Sequence, residues 1–529
     1  MKMNWTKILT VLLVTCLTVS CNLDFEPTAE YSASTFWYSA SNADGGLTAC
    51  YLPVRNGSMW GGAAVAYEEC ATPNAYNYSN NANWNDLAKG THTSDGSIFA
   101  NRWTDCYTGI GRCNLLLDNI GNNREITASE RNTMIGEARF LRALYYSVLS
   151  TYYYSVPLIT VSPDISQASA SRADRKDLLE FIISELDAAS QLLPRVWSSQ
   201  KDYGRATSGA ALALKARMLL FEASPLCNPD NDIERWKEAA AAAKAVMDMG
   251  VYSLYPDYAG LFTESAEHSS EYIFNVEAVS SPNGNGHSLD ITMRQYNSAA
   301  PLKNLIDAYR MLDGKVRSES KYSDSGEYVN LDPRFYSTIV YPGSIWMGET
   351  VKTDNTNTRF TNRQTGYIYR KYTVYGAAAP SSDLLNLKDN CSPVNIMIMR
   401  YADVLLQYAE AMNEAHQMDA SVWNRTVRLI RQRAGFTEAS ALDYPGSYEA
   451  VKDAIMYERR IEFAGEGTWY NDMRRLRLCE EQMNNIEIFN SNGVAIGSRN
   501  FTADRDYWWP VPANQIELDK NLAPNNPGW

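Results

Sequence analysis

The stretch "IGEARFLRALYYSVLSTYY", residues 135–153, constrains the fold more than any other part of this chain. Phe140, Leu141, Leu144, Tyr145, Val148, Leu149 and Tyr152 recur at three-and-four spacing, which gives an α-helix one broad apolar stripe to bury. Similar stretches follow. "DLLEFIISELDAASQLLP" is stopped by Pro194, "GRATSGAALALKARMLLFEASP" ends at Pro225, and "RWKEAAAAAKAVMDMG" closes at Gly250. Toward the C-terminus come "RYADVLLQYAEAMNEA", "VWNRTVRLIRQRAGF" and "YEAVKDAIMYERRIEFAGEGTWYNDMRRLR". Alanine at the crossing points lets such helices approach in pairs. The pattern predicts a mainly α fold of tetratricopeptide-like hairpins, although the repeat consensus of that family is not met.

Two stretches break the helical pattern. Residues 72–90, "TPNAYNYSNNANWNDLAKG", hold six Asn in nineteen residues and show neither a helical nor a strand period. Residues 275–380 are rich in Gly, Asn, Ser, Thr and Tyr, with brief β-like runs such as "STIVY" and "GYIYRKYTVY". No Pro/Ser linker separates them from the helices. The expectation is one compact unit over 21–529, with scaffold at about 100–260 and 395–480 and loop-rich excursions at about 50–102 and 275–380. Loops of that length inside a compact unit carry function or move.

The N-terminus reads as an export signal. Lys2 and Lys7 precede an apolar run from Ile8 to Val19, too short for the ~20 residues of a bilayer span. Ser20 before Cys21 resembles a bacterial lipoprotein signal, in which that cysteine is lipidated and becomes the new N-terminus. Residues 1–20 are therefore expected to be removed and Cys21 to anchor the protein. The seven later cysteines show no CxxC and no metal-type spacing, and read as small buried apolar residues.

Charge and motifs exclude several function classes. Without residues 1–20 the chain carries 46 basic against 61 acidic residues, a net −15, so no basic excess exists for nucleic acid. The four histidines form no ligand set, and neither GxSxG nor a Walker A motif occurs. "NGNGHS" at 283–288 lacks the strand–helix setting of a dinucleotide fingerprint. Glu458, Glu462 and Glu466 recur at helical spacing beside Arg459 and Arg460, which ion pairing along the helix explains better than paired-acid glycoside hydrolysis. No catalytic residue, metal or cofactor is expected.

Binding is better served. The chain has 34 Tyr and 13 Trp against 14 Phe. Sugar rings present C–H faces that aromatic rings can cover and a rim of hydroxyls that Asn, Asp and Arg can satisfy. The first excursion offers Tyr76, Tyr78, Asn81 and Trp84, and the second Arg294, Tyr296, Tyr341 and Trp346. These eight are the candidate ligand contacts, whereas Trp103, inside "RWTDCYTGIGRCNLLLDNI", reads as core.

The assembled motifs resemble the SusD/RagB family of outer-membrane nutrient-binding lipoproteins, almost end to end. The likeness rests on the lipoprotein-like start, "YTGIGRCNLLLDNI", "GEARFLRALYYSVLSTYYYSVPLI", "GRATSGAALALKARMLL", "LIDAYRMLDGK", "DPRFYSTIVYPG", "TGYIYRKY", "RYADVLLQYAEAMNEA", "YERRIEFAGEGTWYNDMRR" and "WWPVPANQIELDKNLAPNNPGW". It implies a SusD-like fold, a non-catalytic role and a place on the cell surface, lipid-anchored in the outer membrane. There the protein would hold an oligosaccharide and cap a SusC-like TonB-dependent transporter that imports it. The RagB branch implies a peptide as the alternative ligand. Arg139, Arg142, Glu458, Arg459, Arg460, Asp472 and Arg474 would then be scaffold. Ligand contacts vary within this family, so none of the eight candidates transfers by motif.

Overall fold

The structure is a computed structural model and describes residues 35–279 and 284–529. The signal stretch 1–20 and Cys21 lie outside the described residues. The principal helices are α1 (Ala40–Tyr51), α2 (Ser97–Asn119), α3 (Ala128–Tyr153), α4 (Arg175–Leu192), α5 (Ser208–Ala223), α6 (Ile233–Asp248), α7 (Tyr401–Glu414), α8 (Val427–Ala434), α9 (Tyr448–Glu462) and α10 (Trp469–Arg475). Helix α3 opens on a capping box: Glu130 N–H donates to Thr127 Oγ1 at 3.2 Å, and Thr127 N–H to the Glu130 carboxylate at 2.8 Å. All seven residues of its apolar stripe are buried. It packs on α2 and α4, α5 packs on α6, and α7 lies against α6 and α9. Gly109 of α2 marks a close approach to α3, since a Cβ there would overlap the Tyr145 ring.

Helix α1 lies almost wholly before the first excursion, in a stretch to which the sequence assigns no element. Its "ASNADGGLTACY" buries only Ala43, Leu47 and Cys50, one narrow stripe, and two glycines hide the helical signal. A Cβ at Gly46 would overlap Trp37, so the glycine serves packing. Cys50, Cys70, Cys106, Cys113, Cys391 and Cys479 are buried thiols and Cys227 is half-buried.

Among the described residues the strands form five antiparallel pairs: β1 (Ala75–Tyr76) with β3 (Ala300–Pro301), β2 (Tyr272–Val276) with β8 (Ile396–Arg400), β4 (Ile339–Val340) with β7 (Ile368–Tyr369), β5 (Ile345–Trp346) with β6 (Glu349–Thr350), and β9 (Ile486–Phe489) with β10 (Ala495–Arg499). The β2–β8 pair matters most for the site. It joins Tyr272 to Arg400 and Val276 to Ile396, and every residue in it is buried. The second excursion therefore leaves and re-enters the core at one fixed point.

The excursion is also bolted down by charge. Arg334 meets Asp332 at 2.6 Å, Glu458 at 2.7 Å and Glu462 at 3.0 Å, all fully buried. Arg400 meets Glu271 at 2.8 Å, Glu462 at 2.7 Å and Glu466 at 2.8 Å, and Lys371 adds a 2.8 Å contact to Glu466. The three glutamates thus pair with arginines and a lysine far away in sequence rather than with Arg459 and Arg460. Arg459 instead binds Asp472 at 2.8 Å and Asp403 at 3.2 Å, and Arg142 binds Glu185 at 2.6 Å.

Candidate functional site

The two excursions meet. β1 and β3 align Ala75 with Pro301 and Tyr76 with Ala300, and Leu302 N–H donates to the Asn74 carbonyl at 2.9 Å. Just beyond this seam Tyr78 Oη donates to the Tyr296 carbonyl at 3.0 Å. Asn81 Nδ2 donates to Tyr67 Oη at 2.8 Å, and that hydroxyl sits 2.8 Å from Ser298 Oγ. Tyr78 and Asn81 are therefore held against the same segment, 296–298. Tyr296 itself is 46% exposed and Asn81 is exposed, while Tyr76 and Tyr78 are half-buried.

The backbone explains why these residues stand where they do. Thr292–Tyr296 is a single π-helical turn, a geometry that recurs at functional sites. It runs into Asn297 in the left-handed region at φ 48°, and Asn297 Nδ2 donates to the Tyr367 carbonyl at 3.0 Å. In the first excursion Asn80 and Asn83 are left-handed at φ 53° and 66°, which short polar side chains tolerate. Their side chains are spent on the loop itself. Asn80 Oδ1 accepts from Asn85 N–H at 3.1 Å and Asp86 N–H at 3.2 Å, and Asn83 Oδ1 accepts from Ser97 N–H at 2.9 Å. Hydrogen bonds from Asn80, then Asn83, hold the Asp86 carboxyl below its usual range despite partial burial.

Arg294 supplies the site's cation. It is half-buried, forms no ion pair within 4 Å among the described residues, and its carbonyl accepts from Thr361 N–H at 2.9 Å. Nearby lies Asp290, fully buried, whose Oδ1 accepts from Val374 N–H at 2.8 Å. Burial pushes the Asp290 carboxyl up to about 7, against the opposing pull of that hydrogen bond, of Ser392 and of Arg294. Near neutrality the Asp290 carboxyl is therefore only partly ionised.

Residues 260–529 match a family model described as the SusD family, and residues 47–220 match one described as starch-binding associating with outer membrane. The chain belongs to the SusD family. It is 24% identical over 549 residues to SusD-like protein P2 of Formosa agariphila, an alignment covering 99% of each chain. With a SusD-like protein of Bacteroides ovatus it shares 23% over 503 residues, covering 92% of this chain and 85% of that one. The crystal structure of a SusD-like carbohydrate binding protein from Bacteroides fragilis matches with a TM-score of 0.79 at 26% identity, covering 92% of this chain and 100% of that one.

Within this SusD-family scaffold the eight candidate residues separate into three groups. The structure brings Tyr76, Tyr78, Asn81, Arg294 and Tyr296 to the meeting line of the excursions. Trp84 and Trp346 are corrected to core: Trp84 is 4% exposed, edge-on to Trp509 at 6.3 Å, with Arg102 5.7 Å above its ring. Trp346 is 1% exposed and T-shaped against Phe360 at 4.9 Å and Tyr375 at 5.7 Å. Neither offers a free face to a sugar. Tyr341 is half-buried in a cluster with Tyr328 at 4.9 Å and Phe335 at 5.0 Å, one tyrosine pair removed from Tyr367. Tyr67 and Ser298 are site residues that the sequence reading missed. Tyr67 sits in the short helix Ala64–Glu69, outside any Asn/aromatic run, so no local signal marked it.

Proposed function

We propose that this protein is a cell-surface, outer-membrane-associated glycan-binding protein. In this reading it holds an oligosaccharide without cleaving it and hands it to a TonB-dependent transporter, with a lipid on Cys21 as its tether. The observation that carries the binding reading is the joined face of Tyr78, Tyr296, Asn81 and Arg294. One exposed tyrosine ring, one half-buried ring, an exposed asparagine and a guanidinium without an ion pair among the described residues sit within one loop seam, a combination suited to C–H faces and hydroxyl rims. The starch-binding description of the model matched by residues 47–220 and the carbohydrate-binding relative of known structure support a sugar as ligand. The non-catalytic part is supported by the glutamates Glu458, Glu462 and Glu466 being locked in buried ion pairs.

Calorimetric titration of a panel of oligosaccharides and peptides against the chain and its Tyr296→Ala variant tests the reading. An oligosaccharide is expected to bind, and loss of one stacking ring worth about 1 kcal/mol is expected to weaken it about fivefold. Binding of peptides alone, or an oligosaccharide affinity untouched by Tyr296→Ala, overturns it.

A further inference from the structure

A cavity of about 150 Å³ lies away from the loop seam, inside the helical scaffold, between α3, α5, α7 and the segment 466–475. A cavity of about this size accepts a six-membered ring or about five waters. Three polar atoms on its wall have no hydrogen-bond partner among the described residues. Gln407, 2% exposed, commits its amide nitrogen to Asp403 at 2.7 Å, which leaves its carbonyl oxygen as a free acceptor. Arg102, 3% exposed, donates through Nε to the Ser58 carbonyl at 2.8 Å and through Nη2 to Glu68 at 3.1 Å, which leaves Nη1 as a free donor. The buried Thr468 hydroxyl, able to do both, makes neither the usual cap of α10 nor any other bond. Each such group left dry costs about 1–3 kcal/mol, so the three together call for an occupant.

The remaining wall says which kind. Leu214, Met218 and Phe221 give it an apolar side. The charges around it are spent: Asp403 is held by Arg217 at 2.9 Å and Arg459 at 3.2 Å, Glu68 by Arg102, and Glu466 by Arg400. Among the described residues every charged side chain on the wall has an opposite partner, so no unpaired charge selects an anion or a cation. An apolar lining together with a donor, an acceptor and a hydroxyl matches a small ring with C–H and O–H groups. We propose that this cavity is a second binding site, separate from the loop seam, that takes one small neutral polyol such as a monosaccharide or a cyclitol. It does not depend on the loop seam being a glycan site.

Saturation-transfer NMR with free D-glucose, D-galactose and myo-inositol on the full chain tests it, followed by crystals soaked in whichever probe gives transfer. Saturable transfer is expected from at least one probe and is expected to weaken about tenfold in Gln407→Leu, the effect of losing one buried hydrogen bond. The soaked crystal is expected to show a ring between Gln407 and Arg102. The proposal is overturned if no probe gives saturable transfer, or if transfer survives Gln407→Leu but not Tyr296→Ala, which assigns it to the loop seam. Ordered water alone in the cavity of the soaked crystal also overturns it, and decides the matter if Gln407→Leu fails to fold.

Discussion

Glu462→Gln removes one charge from the point where the second excursion is fastened to the scaffold. Glu462 is fully buried at the end of α9 and accepts from Arg334 at 3.0 Å, from Arg400 at 2.7 Å and from Arg433. Burial alone would raise its pKa, but Arg433, Arg400 and Arg334 outweigh it and hold the carboxyl well below the usual carboxylate range. Glutamine keeps the shape, loses the charge and turns an N–H₂ toward a guanidinium. Breaking a buried pair in this way costs about 3–5 kcal/mol. Unfolding entropy of about 2.1 cal/mol/K per residue makes a chain of this length lose about 1 °C per kcal/mol, so Tm should fall by about 3–5 °C. The pH dependence has a definite sign. A depressed folded pKa gives stability that is present above the unfolded carboxylate value of about 4.3 and is lost as pH falls below it. The gap between the two proteins should be full near neutral pH and should close in acid. Scanning calorimetry of both proteins across that range checks this. A neutral-pH gap under about 1 kcal/mol, or a gap that stays constant into acid, refutes the claim that these charges fasten the excursion.

Trp84→Ala and Trp346→Ala should each cost about 3–5 kcal/mol of stability, as deletion of a buried ring does, and calorimetry will show whether either instead leaves Tm unchanged. Tyr78→Phe keeps the ring but removes the 3.0 Å bond to the Tyr296 carbonyl. It should weaken oligosaccharide binding several-fold with Tm almost unaltered, and titration alongside calorimetry separates the two effects. Asp290→Asn addresses the raised carboxyl near Arg294. A folded pKa of about 7, above the unfolded value, means that this group's contribution to stability falls as pH rises from about 4 to 7. The variant keeps the acceptor for Val374 and should flatten the Tm profile over that window, gaining on the order of 1 kcal/mol per pKa unit at neutral pH. Parallel profiles would show that Asp290 is ionised in the fold.

The helical scaffold was legible because the apolar residues of α3 and α4 recur at helical spacing, a local property of sequence, even though residues 140–150 of α3 and most of α5 are buried on every side. Helix α1 was not, since its packing face is partly glycine against Trp37 and glycine carries no hydropathy signal. At the site, residue types were legible and partners were not. Trp84 and Trp346 look like Tyr78 and Tyr296 in the string, aromatic residues amid Asn, Gly and Ser. What separates them is whether another ring closes over them, and Trp509, Phe360 and Tyr375 do so only in three dimensions. Among the asparagines of the first excursion, Asn80 and Asn83 take the left-handed turns and spend their side chains on their own loop, which residue type alone does not reveal.

The buried charge cluster makes physical sense of an irregular binding face on a regular scaffold. Short strands and long loops bury too little apolar surface to hold a fixed geometry unaided. The excursion borrows rigidity from β2–β8, where it leaves and rejoins the core, and from Arg334 and Lys371, which bind glutamates at and just beyond the end of α9. A buried ion network adds little net stability over apolar packing, but it fixes which atoms must meet. The outer residues are thereby freed from holding the fold: Tyr296 stays exposed and Arg294 stays without an ion pair because anchoring is done elsewhere. If that division holds, Glu462→Gln should lower oligosaccharide affinity by loosening the seam even though Glu462 has no exposed surface, whereas Tyr296→Ala should lower affinity and leave Tm alone. A Glu462→Gln protein that loses stability but binds with unaltered affinity would show that the seam holds its own geometry.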